Sequence, residues 1–184
     1  MKKAFLIHGF QGSPNGGWRP WLMAELEKQG IYACALAMPT PNKPVPAEWV
    51  QEIKRHVVNN QRDQIYLIGH SLGVPAILRF LADANIKNVK GIILVSGPAF
   101  KTTKRQVAAF LKEPFDFTGI KSRVKHIVVI HGDNDRSVSL DQGRFLAEQL
   151  AGRLITIKNG GHLNGSSGFL KLPQCLASLN SMFK

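Results

Sequence analysis

The sequence predicts an α/β fold, a three-layer α/β/α sandwich built on a six-stranded parallel sheet. Apolar runs of strand length alternate with amphipathic helical stretches from one end of the chain to the other. Most of those runs are continuously apolar, which is how strands read when both faces of a parallel sheet are covered. The 184 residues hold no internal repeat, low-complexity tract or linker. We therefore expect a single domain spanning 1–184, long enough to bury about 70% of its unfolded surface.

The elements follow in order. Residues 3–8 read as the first strand, running into His8-Gly9-Phe10 and a Gly/Ser/Pro/Asn-rich loop up to Gly17. Trp18, Trp21, Leu22, Glu25 and Leu26 recur at helical spacing, so 18–29 is a helix stopped by Gly30. Residues 31–38 form the second strand. The connector from Pro39 to Pro46 is stiff and extended, and Pro46 suits a first helical position. Trp49, Val50, Ile53 and Val57 give that helix its buried face. The third strand is 64–69. The helix after it buries Val74, Ile77, Leu78 and Leu81 and ends by Asn85, with Pro75 tolerated in its first turn.

Residues 89–96 form the fourth strand. The stretch 97–123 is an excursion with one short helix at about 102–111 and four phenylalanines, Phe100, Phe110, Phe115 and Phe117. These rings either form one lip of a pocket or plug the core. The fifth strand is 124–131. Ser139 with Gln142 reads as a capping box for a helix closed by Gly152. Residues 154–158 are the sixth strand and 159–168 a glycine-rich loop. Pro173 opens a last helix with Leu172, Leu176, Leu179 and Phe183 on its inner face.

Bulk properties exclude several classes. The chain is 44% hydrophobic and 20% charged, ordinary for a globular protein, and no apolar run approaches the ~18 residues of a membrane span. The start, Met1-Lys2-Lys3 before a short apolar stretch, resembles a leader but reaches His8-Gly9 without a cleavage-like segment. Cys34 and Cys175 have no metal or redox spacing and suit buried thiols in a reducing cytoplasm. The net charge of +12 invites a polyanion partner. Yet the basic residues are scattered, with Lys101, Lys104 and Arg105 the densest cluster, and no recognition helix or aromatic-interleaved stripe accompanies them. No membrane and no nucleic acid is expected as a partner, and the sequence names no protein partner.

The chemistry centres on Ile65-Tyr66-Leu67-Ile68-Gly69-His70-Ser71-Leu72-Gly73. The pattern G-x-S-x-G sits where the strand breaks into a helix. A serine on that tight turn has its hydroxyl pushed out above the sheet edge. Side chains at Gly69 or Gly73 would collide with neighbouring backbone. The helix that follows aims free N–H groups and partial positive charge at the same spot.

A serine hydroxyl needs a base within reach and a carboxylate to fix the base's tautomer. In a parallel sheet the loops at the carboxyl ends of the strands share one crevice. Those loops offer Ser71, then a carboxylate in His131-Gly132-Asp133-Asn134-Asp135, then His162 after Gly160-Gly161. Asp135 is favoured because a longer turn can bring it under His162; Asp133, nearer the strand end, would then cap the loop. The oxyanion needs two fixed donors, expected to be the backbone N–H of Leu72 and of Phe10. His8 and His70 read as structural. His56 and His126 lack catalytic context, and Ser166 and Ser167 sit in a flexible loop without an elbow.

The set resembles the α/β hydrolases, and more narrowly the small serine hydrolases of the retinoblastoma-binding-protein-nine and YdeN type. The narrower resemblance rests on His8-Gly9-Phe10-Gln11-Gly12-Ser13-Pro14, Trp18-Arg19-Pro20-Trp21-Leu22, the Pro39–Pro46 connector with Trp49, Pro114-Phe115-Asp116-Phe117, and Gly161-His162-Leu163-Asn164 with Gly168-Phe169. It spans essentially the whole chain. It implies a Ser71–Asp135–His162 triad, no cofactor and no metal, and a reduced hydrolase fold with strand order 2-1-3-4-5-6 and no cap domain. It departs at Ser139, where a proline is usual, and at Leu170-Lys171-Leu172-Pro173, where an aromatic commonly precedes the proline. The expectation is a cytoplasmic esterase-like enzyme acting on a small acyl substrate through an open site. The rival is a catalytically weak protein of the same fold that binds a protein or polyanion.

Overall fold

The computed structural model describes residues 1–57, 62–83 and 85–184. Six strands build one parallel sheet: β1 (Lys2–Ile7), β2 (Tyr32–Leu36), β3 (Gln64–His70), β4 (Val89–Val95), β5 (His126–Gly132) and β6 (Arg153–Ile157). Their spatial order is β2-β1-β3-β4-β5-β6, the order expected from the sequence. The chain starts at the second position in the sheet, steps out once to β2, then returns across β1 and winds the other way. The reversal leaves a crevice at the carboxyl ends of β1 and β3.

Among the described residues seven α-helices cover the sheet: α1 (Arg19–Glu27), α2 (Pro46–Val57), α3 (Gly73–Leu81), α4 (Arg105–Ala108), α5 (Phe117–Arg123), α6 (Leu140–Gln149) and α7 (Pro173–Met182). The apolar strand runs feed two cores by simple alternation. Phe5, Ile7, Leu67, Ile92, Leu94 and Val129 pack under α2, α3 and α6. Leu6, Ile68, Ile93, Val95 and Ile130 pack under α1 and α7; Leu22, Leu26 and Leu179 on those helices, and Trp18 and Leu172 just before them, are fully enclosed. The edge strands β2 and β6 are only partly covered.

Two expectations need correction. Ser139 precedes α6 but makes no side-chain cap, and the carbonyl of Ser139, not its hydroxyl, meets the Gln142 N–H. The Gln142 side chain turns inward instead. Its Oε1 accepts from the N–H groups of Ala99 (2.8 Å), Phe100 (3.3 Å) and Lys101 (3.3 Å). It is buried, and those three N–H groups have a stronger claim on it than a solvated helix end.

The excursion after β4 carries two helices rather than one. The helix expected near 102–111 shrinks to the four residues of α4, and α5 follows it. Asp116 caps α5 by accepting from the Gly119 N–H at 2.9 Å, a local signal present in Asp116-Phe117-Thr118-Gly119. Of the four phenylalanines, Phe110 is fully buried and meets Trp49 edge-on at 5.6 Å. Phe100 and Phe117 each pack on Phe145, and Phe115 lies against the Arg79 guanidinium. None of the four lines the crevice. The excursion forms no cap domain. Among the described residues no helix is long and apolar enough to cross a membrane.

Candidate active site

Ser71 sits on the turn between β3 and α3 with φ +53°, a strained value for a non-glycine residue. The strain is imposed from both sides. A Cβ on Gly69 would lie 2.8 Å from the backbone of Gly73, and a Cβ on Gly73 would run into the Ile7 carbonyl oxygen. The Ser71 N–H donates to the Val95 carbonyl at 2.8 Å, tying the turn to β4. The loop after β1 backs directly onto the serine, since a Cβ on Gly9 would lie 2.8 Å from the Ser71 Cβ.

His162 brings the site together. Its Nε2 lies 3.0 Å from the Ser71 Oγ, and its Nδ1 lies 2.8 Å from Asp135 Oδ2. A neutral ring with the proton on Nδ1 donates to the carboxylate and accepts from the hydroxyl. Asp135 is 8% exposed. Its other oxygen accepts from the N–H groups of Ser137 (2.8 Å) and Val138 (3.0 Å). Burial opposes its charge, but the hydrogen bond and charge of His162 and those two N–H donors outweigh it and hold the carboxyl below the usual carboxylate range.

Asp133 plays a different part. It is exposed, and its Oδ1 accepts from the Asn159 N–H at 2.7 Å. Asn134 does the same for Gly161, also at 2.7 Å. Two further groups grip the histidine loop from across the sheet. His70 Nε2 donates to the His162 carbonyl at 2.9 Å, and Trp18 Nε1 donates to the Leu163 carbonyl at 2.8 Å. Asn134 and Trp18 were not singled out from the sequence for these roles. The G-D-N-D run hinted at a capping loop, but nothing local ties Trp18 to a carbonyl 145 positions away.

Three other histidines, His8, His70 and His131, are pushed toward the neutral form by burial. Burial pushes His70 down to about 3, with the charge of nearby His162 next in importance. His8 is lowered for the same first reason; its Nδ1 donates to the Gly9 carbonyl and its Nε2 accepts from the Met38 N–H. His131 lies fully buried beneath Asp135, donating from Nε2 to the Val138 carbonyl at 2.9 Å. These rings are struts for the loops that carry Ser71, Asp135 and His162.

The Phe10 and Leu72 N–H groups find no protein acceptor among the described residues. Phe10 and Ser71 line a cavity of about 400 Å³ that opens between the loops after β1, β4 and β6. Arg19, His70, Thr102, Lys104, Val107 and His162 also contribute to its wall. No group of three or more His, Cys, Asp or Glu able to hold a metal occurs among the described residues.

Comparison with known proteins agrees with this architecture. The YdeN protein of Bacillus subtilis is 35% identical over 184 residues, covering 99% of this chain and 96% of its own. Its crystal structure superposes with a TM-score of 0.94 at 34% identity, over 100% of this chain and 99% of that one. More distant structures share only the fold. An esterase domain from Rhodothermus marinus gives a TM-score of 0.72 at 16% identity, covering 98% of this chain and 86% of that one. A bromoperoxidase from Bacillus anthracis gives 0.74 at 15%, covering 97% and 92%. The fold is that of the α/β hydrolases, on which more than one chemistry has been built. A family model described as serine hydrolase matches residues 4–181, and the chain belongs to that serine hydrolase family.

Proposed function

We propose that this hydrolase cleaves small carboxylic esters, and by the same chemistry thioesters or amides, through an acyl-serine intermediate. The observation that carries the reading is the double engagement of His162, one ring nitrogen on Ser71 and the other on Asp135. His162 takes the Ser71 proton as the oxygen attacks the carbonyl carbon, and Asp135 stabilises the imidazolium that forms. The tetrahedral oxyanion is held by the N–H groups of Leu72 and Phe10. His162 then passes its proton to the leaving group. Water, activated by the same ring, releases the acid and restores the serine.

Both oxyanion donors are free of protein acceptors among the described residues, as that role requires. Leu72 also stands at the N-terminus of α3, whose dipole favours the developing negative charge. A cavity of about 400 Å³ suits a small acyl group better than a long lipid. A panel of 4-nitrophenyl esters from acetate to octanoate, run on the wild type and Ser71→Ala, tests the reading. Turnover that peaks on short chains and vanishes with Ser71→Ala is expected. Turnover unaffected by Ser71→Ala would refute the assignment, and none on any ester or thioester would favour a binding protein built on the same fold.

A further inference from the structure

One wall of the cavity carries a charge that the acyl-serine chemistry does not use. Arg19 opens α1, is only 6% exposed, and is one of the residues that line the cavity. It has no carboxylate partner among the described residues. Its Nε and Nη2 both donate to one backbone carbonyl, that of Ser13, at 3.1 and 2.9 Å. Two of five N–H donors are thus committed, and the end-on edge formed by Nη1 and Nη2 keeps free donors on both nitrogens. Burying a guanidinium without a counter-ion is costly, and burial lowers Arg19 to about 10.

The rest of the lining does nothing to balance that charge. None of the residues around the cavity is acidic. Lys104 adds a second cation on the wall contributed by the loop after β4, its ammonium 5.5 Å from the centre of the Phe10 ring. The nearest carboxylate in the site, Asp135, lies behind His162 and is already engaged there. A pocket lined by two cations and no acidic residue, one of them a guanidinium with donors left over, is complementary to a carboxylate.

We propose that the cavity takes substrates bearing a free carboxylate, such as half-esters of short dicarboxylic acids, with Arg19 gripping the carboxylate while Ser71 faces the ester carbonyl. This rests on the acyl-serine reading for the ester end of the substrate, and on Arg19 alone for the anionic end.

The test uses equilibrium binding, so that no turnover is needed. Monomethyl glutarate and its neutral counterpart dimethyl glutarate are titrated calorimetrically into Ser71→Ala protein in 50 mM NaCl. The half-ester is expected to bind at least ten-fold more tightly, with the ratio shrinking in 500 mM NaCl. Adding Arg19→Met should bring the ratio close to one, and Arg19→Lys should leave an intermediate value. If Arg19 only holds the Ser13 loop in place, Arg19→Met will lower the melting temperature and weaken both ligands alike. That outcome overturns the proposal, as do equal binding by the Arg19 protein and absence of binding by either ligand. Hydrolysis of 4-nitrophenyl acetate by the wild type, lost in Ser71→Ala, reads the ester chemistry separately. Hydrolysis with no preference for the half-ester discards the carboxylate site alone, whereas preference without hydrolysis discards the ester chemistry alone.

Discussion

The turn that carries Ser71 is held by contacts that leave it no room, whereas the loop that carries His162 is held by hydrogen bonds reaching in from elsewhere. At Ser71, Gly69 and Gly73 let β3, α3 and β1 close on one another, and the serine takes a positive φ because no other path fits. At His162, donors on Trp18 and His70 meet two successive carbonyls, and acceptors on Asp133 and Asn134 meet the N–H groups of Asn159 and Gly161. Steric confinement is all-or-none, since a packed core either accommodates an atom or shifts. A hydrogen-bonded loop is fixed by several groups, each contributing about 1 kcal/mol. The two halves of the site should therefore fail differently.

The largest effect strikes the point where the halves meet. Ser71→Ala and His162→Ala should each lower kcat on a 4-nitrophenyl ester by about 10⁴ to 10⁶, with melting temperatures little changed. Removing both should cost scarcely more than removing one, because the groups act together. Next comes the carboxylate. Asp135→Asn should cost about 10³ to 10⁴ in kcat, because an amide cannot impose the same tautomer on His162. Asp133→Asn keeps an acceptor for the Asn159 N–H and should cost less than ten-fold. Equal losses at the two positions would contradict the geometry.

Gly73→Ala breaks the confined half. The added methyl meets the Ile7 carbonyl, so we expect a loss of about 3 kcal/mol in stability by urea denaturation, with activity lost as the turn moves. The hydrogen-bonded half fails gradually and with pH. His70 stays neutral in the folded chain down to about 3, while the unfolded chain protonates it near its ordinary value of 6.5. Protons then favour the unfolded state throughout that window. Stability should fall with pH between 6.5 and 3, with a slope from His70 on the order of 1 kcal/mol per pH unit. His8 and His131, both lowered mainly by burial, add to the slope in the same direction. His70→Gln can still donate to the His162 carbonyl and should flatten the profile. Trp18→Phe removes one grip on the loop and leaves the rest, so kcat should drop about ten-fold with a loss of about 1 kcal/mol.

The same contrast decides what could be read from the sequence. The alternation of strands and helices and the turn at Ser71 were legible because they depend on local patterns: apolar runs, two glycines four apart, and a serine between them; the sheet order followed from the family resemblance. Ser71, Asp135 and His162, singled out as distant residues, do come within hydrogen-bond distance. The long-range grips on the His162 loop were not legible. Trp18 and Leu163 share no local signal, and a tryptophan at helical spacing reads only as core. Gln142 misled for a related reason. Its spacing from Ser139 matched a capping box, but a buried amide goes to the strongest set of unmet donors, here at residues 99–101. Arg19 entered the sequence reading only as part of Trp18-Arg19-Pro20-Trp21-Leu22; its burial without a counter-ion exists only in three dimensions.

Labelling with a fluorophosphonate probe, followed by peptide mass spectrometry, tests the central claim most directly. A single adduct on Ser71 of the folded protein is predicted, formed at least 10³-fold more slowly after His162→Ala. An adduct on Ser13, Ser137 or Ser166 instead, or a Ser71 adduct formed at an unchanged rate without the His162 imidazole, would contradict it.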